Sequence, residues 1–381
     1  MSFAMNILSL VFLLLSATAW AEPPTPGSAA PDISAAAYVL YDESSGQFLL
    51  EKSGDIRREP ASLTKLMTAY LVFDALRRGD LTPDEMLSVP VEALRQNGGE
   101  ARMLLTEGQS VSVSDLLQGL IVQSASDAAL TLAAHLGGEA EFVAQMNTKA
   151  RQLGLNATHF TNPVGWAEAG HYTTAHDLAL LAGALRREFP QHYSLFSQRE
   201  FSFNNITQAN TNRLLWIDPY ADGLKTGYSR TAGYCLVGSA TRGNRRLVSV
   251  LLGAPSETLR ATESQALLNY GFQYFDAVRL YGKNQPVTHL RLWKGTENTV
   301  AIGFRNERFV TLPKGRKNQL KATVETRQPL LAPVSAGQPL GELKLTLNGQ
   351  PYARFTLVAL ESVPLANVFS RGWDSIQLLL K

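Results

Sequence analysis

Residues 62–78 read as a helix with apolar side chains on most of its faces (Leu63, Leu66, Met67, Tyr70, Leu71, Phe73), stopped by Gly79. A helix of that kind belongs inside a protein, wrapped by other elements. Yet it opens on Ser62-Leu63-Thr64-Lys65. Helical spacing of i, i+3 places the Ser62 hydroxyl and the Lys65 ammonium on one face, within reach of each other. Pro60 suits a helix start, so Ser62 falls in the first turn, where free N–H groups and the helix dipole favour developing negative charge. The fold has to close around a serine and a lysine held together.

A serine hydroxyl is a poor nucleophile until a neighbour takes its proton. Lys65 can do so if burial and nearby cations lower its pKa from about 10.4. Lys225 is the cation at hand. Ser124-Ala125-Ser126 lies in a break between helices expected over 114–122 and 127–136. The Ser124 hydroxyl can point into a cleft there and relay a proton between Lys65, Lys225 and a leaving amine. Ser126 has two readings, an N-cap for the following helix or a substrate contact.

Lys225-Thr226-Gly227 opens a strand after the turn 218–223. A cation beside a hydroxyl suits a substrate carboxylate, and Gly227 lets a substrate backbone lie close to the strand edge. The N–H groups of Ser62 and Tyr228 are the candidate oxyanion hole. Arg260 has a forked geometry that clamps carboxylates, or it pairs with Glu257 or Glu263 at helical spacing. Thr174 with Asp177 reads as a capping box.

The 381-residue chain has room for one large and one small domain. Charged residues make up 18% and the net charge is +2, which gives no basic stripe for nucleic acid. The single cysteine, Cys235, excludes an internal disulfide and fits no zinc pattern. Neither a metal site nor a cofactor is expected. Residues 7–15 form an apolar core, and Ala19-Trp20-Ala21 is a small-x-small cleavage pattern, although residues 1–6 carry no Lys or Arg. Export with cleavage after Ala21 is expected, followed by a flexible Pro/Ala/Ser-rich leader over 22–34.

Residues 36–41 and 47–51 read as a hairpin, as do 232–241 and 245–253 around Arg242-Gly243-Asn244. Helices are expected over 139–153, 174–187 and 256–275. Strands at both ends with helices between predict an α+β catalytic domain over 35–279 with an antiparallel sheet. From residue 280 short alternating runs punctuated by Pro and Gly predict a small all-β domain, 280–362. In residues 363–381, Leu365, Phe369, Trp373, Ile376 and Leu380 recur on one helical face. That amphipathic helix is too short and polar to span a membrane but can lie in its interface, or it docks on its own domain.

The three motifs in this order are the signature of penicillin-interacting serine enzymes. The chain resembles the low-molecular-mass (class C) penicillin-binding proteins, the serine-type D-alanyl-D-alanine carboxypeptidases. The likeness includes Ala61-Ser62-Leu63-Thr64-Lys65-Leu66-Met67-Thr68, Ile121-Val122-Gln123-Ser124 and Asp222-Gly223-Leu224-Lys225-Thr226-Gly227. It extends to Ile206-Thr207-Gln208, Leu214-Leu215-Trp216 and Val310-Thr311-Leu312-Pro313-Lys314-Gly315. The resemblance implies a transpeptidase/β-lactamase-like domain, a β-rich second domain and a C-terminal anchor on the outer face of the cytoplasmic membrane. It implies Ser62 as the acylated nucleophile, Lys65 as base, and Ser124 and Lys225 as relay and carboxylate partners. Arg260 matches a family arginine that holds the terminal D-Ala carboxylate. Substrates would be peptidoglycan stem pentapeptides, with β-lactams as acylating inhibitors. Two positions depart from the family pattern: Ser126 replaces the usual Asn, and Tyr228 stands where His is frequent. DD-endopeptidase or β-lactamase action on the same site, or a non-catalytic wall-binding role, are the alternatives. For a β-lactamase of this type the loop before Lys-Thr-Gly needs a Glu followed by an Asn, and Glu168 has no such Asn.

Overall fold

The computed structural model describes residues 30–95 and 100–379; the expected export signal lies outside them. In chain order the larger part comprises β1 (Ala37–Asp42), β2 (Gln47–Lys52), α1 (Lys65–Arg78), β3 (Met86–Ser88), β4 (Ser110–Ser112), α2 (Val113–Gln118), α3 (Ser126–His135), α4 (Glu139–Gln152), α5 (Ala175–Glu188), β5 (Glu200–Phe203), β6 (Ile206–Ala209), α6 (Leu214–Ile217), β7 (Ala221–Ser229), β8 (Gly233–Arg242), β9 (Arg245–Ala254) and α7 (Glu257–Tyr274). Its sheet runs β2-β1-β9-β8-β7 and every pairing is antiparallel. Strands from both ends of this segment therefore meet in one sheet, the expected α+β plan.

The central strand β9 is apolar on both faces because both are covered. Val248, Val250 and Leu252 join the helical core that includes α1, α3 and α5. Leu247 and Leu251 face Leu267 and Leu268 of α7 on the other side. Helix α1 is the element that the helical layer surrounds: every residue from Lys65 to Ala75 is buried. Gly79, at φ 79°, ends it in the left-handed conformation that glycine adopts without cost.

Local structure departs from expectation at several points. The helix expected over 114–122 is α2 continued by a π-helical turn, Gly119–Gln123, which throws Ser124 into a left-handed conformation. The helix expected to reach residue 275 gives way to strand there. Lys225 lies in the middle of β7 rather than at its opening. The β5–β6 hairpin and α6 are four-residue elements, too short to leave a periodic signal.

The rest is β10 (Phe275–Tyr281), β11 (Pro286–Trp293), β12 (Thr299–Gly303), β13 (Arg308–Pro313), β14 (Leu320–Thr326), β15 (Leu330–Leu331), β16 (Pro339–Leu347), β17 (Gln350–Ala359) and a last helix, α8 (Val368–Leu379). Strands β10 and β13 pair, and six others order as β14-β16-β17-β12-β11-β15 around a separate apolar core. A buried polar bolt fixes this part to the β1–β2 hairpin. Thr311 Oγ1 lies 2.8 Å from Asp42 Oδ2 and 2.7 Å from Ser45 Oγ, and its N–H donates to Gln47 Oε1 at 2.7 Å. Arg245 Nε donates to the same Asp42 oxygen at 2.8 Å, leaving that carboxylate fully engaged.

Candidate active site

Ser62 sits in a 3₁₀ turn, Ala61–Thr64, that runs straight into α1. Ala61 has φ 48° and Ser124 φ 64°, so both turns that present a serine are held in a conformation L-residues rarely adopt. Such geometry costs on the order of 1–3 kcal/mol and persists where surrounding packing enforces it. The packing here is close. A Cβ on Gly165 would lie 1.8 Å from the Ala61 carbonyl oxygen, so only glycine fits against that turn.

Lys65 is 2% exposed. Its Nζ donates to Ser62 Oγ at 3.1 Å and to the Val164 carbonyl at 2.8 Å. Burial brings its pKa down to about 7, against the pull of Glu100 and Asp127. An amine with that pKa is substantially unprotonated near neutral pH and can take the serine proton. The sequence reading looked to Lys225 as the cation that lowers Lys65. The structure gives that role to burial. Lys225, also 2% exposed, is itself pushed well down, first by burial and then by the charges of Lys65 and Arg260. Burial, not a neighbouring cation, heads the causes of the Lys65 shift.

Lys225 Nζ donates to the Thr226 carbonyl at 3.2 Å, and Thr226 Oγ1 lies 2.6 Å from Thr211 Oγ1. Gly227 does not keep space for a substrate backbone alone. A Cβ there would come within 2.9 Å of the Pro60 oxygen and 3.3 Å of the Leu63 nitrogen, so glycine lets β7 abut the Ser62 turn. That contact sets the N–H groups of Ser62 and Tyr228 on adjoining segments. The Tyr228 ring is exposed and packs at a tilt against Tyr234, centroids 4.4 Å apart.

Arg260 arrives from α7, buried, donating to the Gly227 carbonyl at 3.2 Å and the Thr211 carbonyl at 3.3 Å. It reaches Glu257 at 3.5 Å; Glu263, the other expected partner, instead accepts from Ser34 and Ala35. Burial lowers the Arg260 pKa, but Arg remains charged in proteins. It is the fixed cation beside β7.

Ser126 is 1% exposed and does not cap α3: Ala125 occupies the N-cap position and Ser126 is the first helical residue. Its Oγ is buried without a protein partner, while its N–H donates to Ala101 O at 2.9 Å. The next residue does the structural work, Asp127 accepting from Met103 N at 3.0 Å and Leu105 N at 3.1 Å. Thr174 caps α5 as expected, accepting from Asp177 N at 3.1 Å.

Sequence reasoning passed over the loop Asn162-Pro163-Val164-Gly165, which supplies the carbonyl that holds Lys65. Its Asn/Pro/Gly composition marks a specific turn, but nothing in it announces which carbonyl is used. Among the described residues no group of His, Cys, Asp and Glu could hold a metal ion. A cavity of about 1030 Å³ lies away from this site, between Arg242, Phe272 and Phe309, and contains none of the groups above.

Comparison with known proteins fits this arrangement. Residues 25–256 match the D-alanyl-D-alanine carboxypeptidase family. The chain belongs to that family. It is a serine-type D-alanyl-D-alanine carboxypeptidase, a hydrolase of the penicillin-binding protein group. Residues 275–365 of the carboxypeptidase match the C-terminal domain of penicillin-binding protein 5. D-alanyl-D-alanine carboxypeptidase DacC of Escherichia coli is 38% identical over 377 residues, covering 97% of this chain and 94% of DacC. Penicillin-binding protein 5 of Haemophilus influenzae superposes with a TM-score of 0.84 at 37% identity, covering 89% of this chain and all of that one. Penicillin-binding protein D2 of Listeria monocytogenes, solved in an ampicillin-bound form, is similar over 65% of the carboxypeptidase (all of its own chain) with a TM-score of 0.60 at 33% identity.

Proposed function

We propose that Ser62 is the acylated nucleophile and Lys65 its general base. The contact between Lys65 Nζ and Ser62 Oγ at 3.1 Å carries the reading. Ser62 Oγ attacks the carbonyl carbon of the penultimate D-Ala as its proton passes to Lys65. The N–H groups of Ser62 and Tyr228 receive the developing oxyanion; one such donor is worth ~2.7–4 kcal/mol of barrier. The proton then moves by way of Ser124 to the departing D-Ala amine, and the C–N bond breaks. Water completes hydrolysis by the same route in reverse, regenerating Ser62 and releasing the shortened peptide. Arg260, with Lys225 and Thr226, holds the terminal carboxylate; Ser126 lines the acyl side.

The substrates are peptidoglycan stem pentapeptides, and β-lactams acylate the same serine. A β-lactamase role lacks support: Glu168, the acid of the 161–172 loop, is exposed and Val164 occupies the position facing Lys65. Incubation with a D-Ala-D-Ala peptide is expected to release D-Ala. Peptide mapping after penicillin treatment is expected to place one penicilloyl group on Ser62. An adduct elsewhere, or none alongside D-Ala release, refutes the assignment.

We also infer export with cleavage after Ala21, a leader over 22–34, a catalytic domain over 35–279, a β domain over 280–362 and an interfacial anchor over 363–381. The enzyme then works in the periplasm on the outer face of the cytoplasmic membrane. No described helix is long and apolar enough to cross a membrane. Helix α8 offers a polar side to the β domain, where Asp374 accepts from Lys294 N and Gln377 lies 3.4 Å from Arg291. Trp373 is 64% exposed and Leu365 and Val368 also face out; the side chains of Phe369, Ile376 and Leu380 lie outside those described. Burying such groups at ~1.5–3 kcal/mol each supports reversible attachment. Truncation after Pro364 is expected to abolish sedimentation with lipid vesicles while D-Ala release continues. Unchanged vesicle binding would overturn the anchor.

A further inference from the structure

We propose that His171 is a positioning residue for acylation, an imidazole held in one tautomer that ties the nucleophile turn to the loop whose carbonyl holds Lys65. The proposal rests on the reading of Lys65 as base. His171 is 4% exposed and stands at the far end of the loop that carries Val164. Its Nδ1 accepts from the Thr161 N–H at 3.0 Å, with Thr161 Oγ1 also at 3.0 Å. A backbone N–H can only donate, so Nδ1 is bare and the ring proton sits on Nε2. That proton points at Thr64 Oγ1, 2.8 Å away. Thr64 lies between Ser62 and Lys65.

Protonating the ring would set Nδ1–H against the Thr161 N–H in a buried position. Burial brings the His171 pKa down to about 4, with Glu168 opposing and His159 assisting that shift. The charge and tautomer therefore stay fixed across the range in which Lys65 titrates. The rest of the loop is equally constrained. Asn162 Oδ1 accepts from Val164 N, Gly165 N and Trp166 N at 3.3, 2.7 and 3.0 Å. Thr68 Oγ1 donates to the Pro163 carbonyl at 2.6 Å. This fan shapes the loop, and His171 fastens it to the turn it serves.

Without the Nε2–H contact, the Val164 carbonyl and the Ser62 turn lose their shared reference. Misplacement near 1 Å costs roughly 10²-fold in rate, so His171→Ala and His171→Asn are expected to slow acylation by fluorescent penicillin about 10–100-fold. Asn mimics Nδ1 but cannot reach Thr64. His171→Gln, whose longer amide can donate to Thr64, is expected to recover most of the rate. A loosened loop admits water to Lys65, so the pH–rate midpoint should move upward in the Ala and Asn variants. Lys225, Glu100 and Asp127 face Lys65 unchanged in each. Thr64→Val removes the partner hydroxyl at similar shape and should reproduce the loss, which keeps the test decisive if His171→Ala fails to fold. Wild-type rates and midpoint in His171→Asn and Thr64→Val, whatever their melting temperatures, overturn the proposal. Full acylation in Lys65→Met would instead remove the base reading on which it stands.

Discussion

Lys65→Met and Lys65→Arg are each expected to lose about 10²–10⁴-fold in acylation rate, the usual contribution of a positioned general base. The two variants fail for different reasons, and that makes the pair informative. Methionine removes the amine at nearly constant volume. Arginine keeps a positive charge and a donor toward Ser62 Oγ, but its pKa stays above 12 and it cannot accept the proton. If Lys65 acted only as a fixed positive charge beside the nucleophile, the arginine variant would retain most of the rate. If the base is the unprotonated Lys65 amine, as proposed, acylation should rise with pH through about 7 and then level off. The rising limb should be missing from both variants. A native profile without a limb near 7, or an arginine variant within a few-fold of wild type, would assign the proton to another group.

The chemistry was legible in the sequence because acyl transfer needs few residue types at fixed spacings. Ser62 and Lys65 are one helical turn apart, and Lys225 must come from elsewhere to meet them; order and spacing suffice to identify such a kit. The α+β plan was legible too, since β1 and β9 are far apart in sequence yet both read as buried strands that need partners. What escaped was anything set by backbone rather than side chain. The Val164 carbonyl that holds Lys65 belongs to a residue whose side chain carries no chemical signal. The left-handed turn at Ser124 depends on a π-helical turn that no hydrophobic period encodes. Ser126 misled because serine is a good helix cap and a plausible ligand contact at once. The cap position fell one residue earlier, on Ala125, and left the Ser126 hydroxyl inside the protein. Gly227 was read as making room for a substrate backbone, whereas the close neighbours that the structure shows, Pro60 and Leu63, follow from tertiary packing alone.

Lys225→Met is expected to raise the melting temperature while lowering D-Ala release by 10²-fold or more, because the same burial that suits Lys225 to catalysis opposes folding. An amine taken from water into this site, with the Thr226 carbonyl as its protein acceptor, loses ~1–3 kcal/mol of hydration not fully replaced. Methionine fills similar space without that penalty, and each kcal/mol shifts melting by ~2–4 °C in a domain of this size. The pH dependence fixes the cause. Burial and the Lys65 and Arg260 charges depress the folded-state pKa of Lys225 below its unfolded value of about 10.4. Between those two values the unfolded chain binds the proton that the folded protein lacks, so native stability falls as pH falls through that window. The variant has no such group, and its advantage should therefore widen on acidification from pH 10 toward neutrality. A melting temperature that drops, or a difference independent of pH, would refute the account. Catalysis recovers what folding gives up only when substrate arrives. On the proposed reading a terminal carboxylate beside Lys225 favours its charged form, so binding a D-Ala-D-Ala ligand should raise the Lys225 pKa and couple to proton uptake within that window in the native enzyme and not in Lys225→Met. On the proposed reading Arg260, which stays charged, draws the carboxylate in, and Lys225 pairs with it.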